Sequence, residues 1–152
     1  MASFNVPVWR AARAANNNVT VTPCDFVEMR LLDVRIPWDP SSWTEDAERK
    51  DIFFELNDPA VRAFLQTQEE AIGASKSCMA KDGLLRCKIN VKHVCLFDKD
   101  RCLVPPPERF AGWTCNVVVK LCGKWQTGSA SGLNLQATDI QLLRPYRREC
   151  PF

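Results

Sequence analysis

Arg86, Lys88 and Lys92 occupy even positions in LLRCKINVKHVCLF (84–97), with Asn90 between them, while Leu85, Cys87, Ile89 and Val91 take the odd ones. In an extended strand, side chains two apart share a face and stand about 7 Å from each other. The spacing therefore predicts a row of cations on one side and an apolar row on the other. TCNVVVKLCGKW (114–125) repeats the arrangement, with Asn116, Lys120 and Lys124 opposed to Cys115, Val117, Val119 and Leu121. Cations fixed at such intervals neutralise a spaced series of anions, the chemistry of holding a phosphate backbone rather than of making or breaking bonds. One such strand could be a plain solvated face; two of them favour a binding face.

Bases held beside phosphates need flat side chains to stack on, each contributing about 1–3 kcal/mol. Phe53 is out of register with Ile52, Phe54 and Leu56, so it should leave the core on the open side. Trp38 and Trp43 lie in a connection too polar to bury both. Trp125 is in register with Val119 and Leu121 and reads as core, whereas Trp113 and Tyr146 are open to either role. The expected binding set is Arg86, Lys88, Lys92, Asn116, Lys120, Lys124, Phe53, Trp38 and Trp43, with no catalytic residue, metal ligand or cofactor.

The charge distribution agrees. Residues 39–70 carry nine acids and three bases, net −6, whereas residues 81–125 carry nine bases and four acids, net +5, within a total of +2. One face can thus hold a positive field despite a modest total. An enzyme fits poorly. No GxxxxGK[ST] loop is present, Asp98, Asp100 and Glu108 are the only acids near the basic block once Asp82 is set aside, and His93 with Cys95 lacks a third catalytic partner. The eight cysteines include no CxxC pair, and a metal site from Cys87, His93, Cys95 and Cys102 is the weaker reading beside that of thiols, with Cys87 and Cys115 as small core residues and Cys122 on the polar face. No apolar run approaches the ~20 residues that span a bilayer, and MASFNVPVWRAARAANNN lacks the apolar core of an export signal. The expectation is a soluble intracellular protein, in the nucleus or a viral replication compartment if the cell is eukaryotic.

The elements that must carry these residues follow from the same patterns. Residues 1–18 read as a flexible arm, 19–145 as one domain, and 146–152 as a basic tail. Strand character begins at Val19 and is strong from Phe26 to Ile36, followed by a connection to about Lys50 and a strand over Ile52–Leu56. Asn57, Asp58 and Pro59 start a helix. Its apolar stripe is Ala60, Val61, Phe64, Leu65, Ala71 and Ile72, its wet side is Gln66, Gln68, Glu69 and Glu70, and it ends between Gly73 and Gly83. A third strand region covers 84–97, Asp98–Asp100 turns, a triple-proline spacer leads to the strand over 114–125, and Thr127–Gly132 forms a hairpin tip before a last strand ending near Leu143. A mainly β chain with one long helix and five short strands is compatible with an OB-type antiparallel barrel, whose curved face and loops hold oligonucleotides.

IFFELNDPAVRAFLQTQEEA and VVVKLCGKWQTGSASGLNLQATDIQLL, about half of the chain, resemble the OB-fold single-stranded DNA-binding proteins of phages and large DNA viruses. The resemblance implies a non-catalytic protein that coats single-stranded DNA during replication or recombination, as an oligomer and beside replication proteins, with Lys120, Lys124 and the hairpin tip at the groove. The C-terminus departs from the family's acidic tail: Arg144, Arg147 and Arg148 precede Pro151 and Phe152, so the tail's usual partner-recruiting role is not implied. RNA in place of DNA is left open. The rival reading is an OB-fold protein–protein interaction module, an adaptor or regulator without nucleic-acid binding, against which the aligned cations argue. Duplex binding lacks a recognition helix, because the one clear helix is acidic.

Overall fold

A computed structural model describes residues 6–13, 19–24, 27–42, 47–80 and 82–145. The chain forms β1 (Trp9–Arg13), β2 (Val19–Pro23), β3 (Glu28–Arg35), β4 (Arg49–Glu55), α1 (Pro59–Ile72), β5 (Leu84–Asn90), β6 (Cys95–Phe97), β7 (Thr114–Thr127) and β8 (Ala130–Arg144). β1 and β2 make a separate antiparallel hairpin, and the remaining strands run β5-β4-β3-β7-β8-β6. An additional pairing of β5 with β8 joins the ends, so β3, β4, β5, β8 and β7 form a ring. That closing pair, Lys88 with Gln136 and Ile89 with Ala137, is parallel, as is β6 against β8. The antiparallel expectation thus holds for every pairing except these two. Strands brought together by closure rather than by a hairpin are free to run the same way.

Alternation builds the ring's interior. Met29, Leu31 and Val34 of β3, Ile52 and Phe54 of β4, Leu85, Cys87 and Ile89 of β5, the odd residues 115–121 of β7, and Leu133, Leu135, Ala137, Ile140 and Leu142 of β8 are buried. Each large side chain sealed in this way contributes about 1.5–3 kcal/mol. Closing the ring requires bends, and β3 bends where its register shifts between Leu31 and Val34. Asp33 there is left-handed (φ 56°). Asn116 Oδ1 accepts its N–H at 2.9 Å, Asn57 Nδ2 donates to its carbonyl at 2.9 Å, and Arg144 Nη2 meets its carboxylate at 2.8 Å.

α1 starts where Asp58 Oδ1 accepts the Ala60 N–H at 2.9 Å with Pro59 in the first turn, and stops at left-handed Gly73. Val61, Leu65 and Ile72 face the core. Gln68, expected on the wet side, is buried at 2% exposure because Trp9 Nε1 donates to its Oε1 at 3.1 Å. β1 therefore comes from within the stretch read as an arm, and its tryptophan is occupied against the helix. Among the described residues no helix is long and apolar enough to cross a membrane.

The run 84–97 is not one strand. Asn90 Oδ1 accepts the Lys92 N–H at 3.0 Å and the Asn90 carbonyl accepts from His93 and Val94, so the chain turns at 91–93 and resumes as β6. An asparagine that bonds the backbone two residues on breaks a strand in this way. Lys92 consequently lies beyond β5, outside the row formed by Arg86 and Lys88.

Candidate nucleic-acid interface

On β4, Arg49, Asp51, Phe53 and Glu55 alternate with buried Ile52 and Phe54, so they take the outer side of the ring. On β5 the outer side carries Arg86, Lys88 and Asn90. Register pairs Phe53 with Arg86, Asp51 with Lys88 and Arg49 with Asn90. The row continues across the closing strands, from Lys88 to Gln136 of β8, then to Lys120 of β7 and Glu28 of β3. Lys88 and Lys120, far apart in sequence, thus flank one glutamine on a continuous curved surface.

A cavity of about 470 Å³ opens at the end of this surface near the β7–β8 tip, lined by Arg49, Asp51, Arg86, Lys88, Trp125 and Asn134 among others. Three cations against one carboxylate make it positive. Lys88 Nζ contacts Asp51 Oδ1 at 2.6 Å with its side chain still 54% exposed, so an incoming anion would compete with Asp51 for a reachable ammonium. Lys92 is held likewise, 2.8 Å from Glu48. Arg86 is exposed beside Phe53. Phe53 is half-buried and meets Trp38 edge to face, with ring centroids 5.4 Å apart. Trp38 is 49% exposed. An aromatic pair therefore stands beside the β4–β5 cations.

Besides Lys92, two expected residues are placed differently. Lys124 Nζ donates to the Ile72 carbonyl at 2.8 Å, supplying at the end of α1 the cation that its own last turn lacks. Asn116 is engaged by Asp33 and donates to Gln141 Oε1 at 2.9 Å, on the opposite shoulder of the ring from the cavity at the tip. Trp43 lies outside the described residues, as do Tyr146 and the tail. Trp125, read as core, is only half-buried: its indole lies flat against Gly132, where an added Cβ would fall 2.6–2.9 Å from the ring atoms. It forms a wall of the cavity instead. Arg49 was not anticipated; carrying the Phe53 alternation back past Asp51 would have found it, but acidic surroundings hid the start of the strand.

The thiols nearby are inert in character. Cys78 and Cys87 line the cavity but are buried, and burial pushes Cys78 up to about 12, helped by the Glu69 carboxylate, whose Oε1 lies 3.6 Å from its Sγ. Cys87 is likewise raised by burial. The described cysteines are all free thiols. Cys87 points inward while Cys95 and Cys102 are exposed, so the four-residue metal set does not converge.

No family model and no curated protein matches the chain. Its fold does match solved structures of the single-stranded DNA-binding protein from bacteriophage Enc34. The complex with single-stranded DNA superimposes with a TM-score of 0.55 at 11% identity, over 92% of this chain and 97% of that one. A C-terminal truncation of the same protein gives 0.56 at 13% identity, over 100% and 99%. At such identities the likeness is one of fold.

Proposed function

We propose that the ring is an OB-type barrel and that the protein binds single-stranded DNA, without catalysis, along the outer face of β4 and β5 and into the cavity beside the β7–β8 tip. The observation that carries this reading is the assembly of Arg49, Arg86 and Lys88 next to the Phe53–Trp38 pair, on the strand face and beside the tip loop where OB folds hold oligonucleotides. Cations take the phosphates and the aromatic pair offers a ring for stacking. Lys120 extends the contact along the Lys88–Gln136 row. The fold shared with a phage single-stranded DNA-binding protein supports the same conclusion. Coating of single strands during replication or recombination is the role that such sequence-tolerant chemistry suits.

The test is fluorescence anisotropy of labelled oligo-dT and of a duplex of equal length at several salt concentrations. Three phosphate contacts give a log–log salt slope of about −2 from this patch alone. Arg86→Glu with Lys88→Glu should weaken binding to oligo-dT and flatten that slope. Absence of single-strand binding at low salt, or equal affinity in the double variant, would refute the proposal.

A further inference from the structure

The outer face of the β7–β8 ribbon does not end at the cavity by its tip. Asn116, Val118 and Lys120 of β7 are half-buried between fully buried neighbours, as are Asn134, Gln136 and Gln141 of β8. This polar strip runs from the tip toward the far shoulder of the ring, where it becomes the floor of a second groove of about 530 Å³. β3 supplies one wall through Arg30 and Leu32, and β6 with its turn supplies the other through Phe97 and Arg101. Register fixes the geometry: Arg30 pairs with Val118, Val118 with Asp139, and Asn116 with Gln141. From Asn134 in the first cavity to Gln141 in the second is seven residues of β8, about 23 Å.

Arg30 and Arg101 are both exposed and make no ion pair among the described residues, unlike Lys88 and Lys92. Between them lie the half-buried Phe97 ring and Leu32, which is 63% exposed. The two guanidinium groups outnumber the one carboxylate lining the groove, that of Asp139, and with the apolar Phe97 and Leu32 on its walls they match a nucleotide: phosphates on the arginines and the base or sugar on Phe97 and Leu32. Resting on the nucleic-acid reading of the first cavity, we propose that this groove is a second contact for the same single strand, which crosses Lys120 and Gln136 on its way along the ribbon. Continuity of the strip and the charge of the groove both favour an anionic polymer over a protein segment.

Arg30→Gln with Arg101→Asn tests this, the asparagine being tolerant of the left-handed backbone at 101 (φ 66°). The variant and the parent are titrated with oligo-dT of about six and about twenty bases across a salt series. The short strand fills the first cavity alone, so its affinity should be unchanged. The long strand should bind about tenfold more weakly at low salt, with the log–log slope smaller by about 1.4 for two lost phosphate contacts. Unchanged affinity for the long strand overturns the proposal, and so does an equal loss for both lengths, which marks a general field effect. Loss of self-association with intact DNA binding also overturns it, in favour of a protein-contact surface. Should the double variant lose its circular-dichroism signature, Arg101→Asn alone gives the same comparison with a slope change of about 0.7. Arg86→Glu with Lys88→Glu is run in parallel. If it leaves the short strand bound as tightly, the first-cavity reading fails whatever the groove does.

Discussion

Gly132→Ala is a direct probe of how the tip wall is built. A Cβ at this position would sit 2.6 Å from Trp125 Nε1, 2.8 Å from Cε2 and 2.9 Å from Cζ2, well inside van der Waals contact. The backbone of Gly132 needs no left-handed conformation, so the cost is one of packing alone. Overpacking of this kind costs about 1–3 kcal/mol, and the lost freedom of the unfolded chain returns about 0.4–1 kcal/mol. The net loss is roughly 1–2 kcal/mol, a fall in Tm of about 2–8 °C for a domain of this size. Differential scanning calorimetry reads that shift, and a change in tryptophan emission should accompany it as the indole leaves its seat. The decisive step is a double-mutant cycle. In a Trp125→Leu background the ring is gone, so Gly132→Ala should be neutral or slightly stabilising. An equal cost in both backgrounds, or no cost in either, would refute the claim that Trp125 lies on Gly132 as a wall of the cavity.

Lys124→Met should lower stability by about 1 kcal/mol by removing the cation from the Ile72 carbonyl, while leaving the salt slope of oligo-dT binding unchanged; urea denaturation and anisotropy separate the two. Asp58→Ala should cost about 1 kcal/mol through loss of the bond to the Ala60 N–H, and Asp58→Asn should restore most of it in the same urea assay. Burial holds the Glu69 carboxyl above its ordinary value of 4.5. Because an acid raised in the folded state favours the protonated form, stability is fullest below 4.5 and is lost as pH rises through the higher folded value. Urea midpoints between pH 4 and 7 should therefore show Glu69→Gln gaining on the parent across that window and the gap staying constant above it.

Alternation made several strands legible. Cys87 and Cys115 could be assigned inward, and Arg86, Lys88 and Phe53 outward, because a period of two has only two faces and the apolar residues claim one of them. The start of α1 was legible from Asp58–Pro59, since capping is local chemistry. Lys92 was misplaced because Asn90 diverts its side chain to the backbone, a choice between two local hydrogen-bond patterns that strand periodicity does not register. Gln68 was misplaced because its partner, Trp9, comes from 59 residues away. Lys124 looked like any cation on a polar face until folding brought it to the end of a helix.

The chain's own order of residues therefore determines which side chains share a strand face, where the helix begins and that residues 81–125 carry a net positive charge. Tertiary structure decides which of those cations remain available. Lys88 is paired with Asp51, Lys124 is drawn to the Ile72 carbonyl, and Arg49, Arg30 and Arg101 come to line grooves that their local sequence does not announce. The physical reason is that a face is set by backbone geometry over two residues, whereas a charge is spent or spared by whichever group closure of the ring brings within about 3 Å of it.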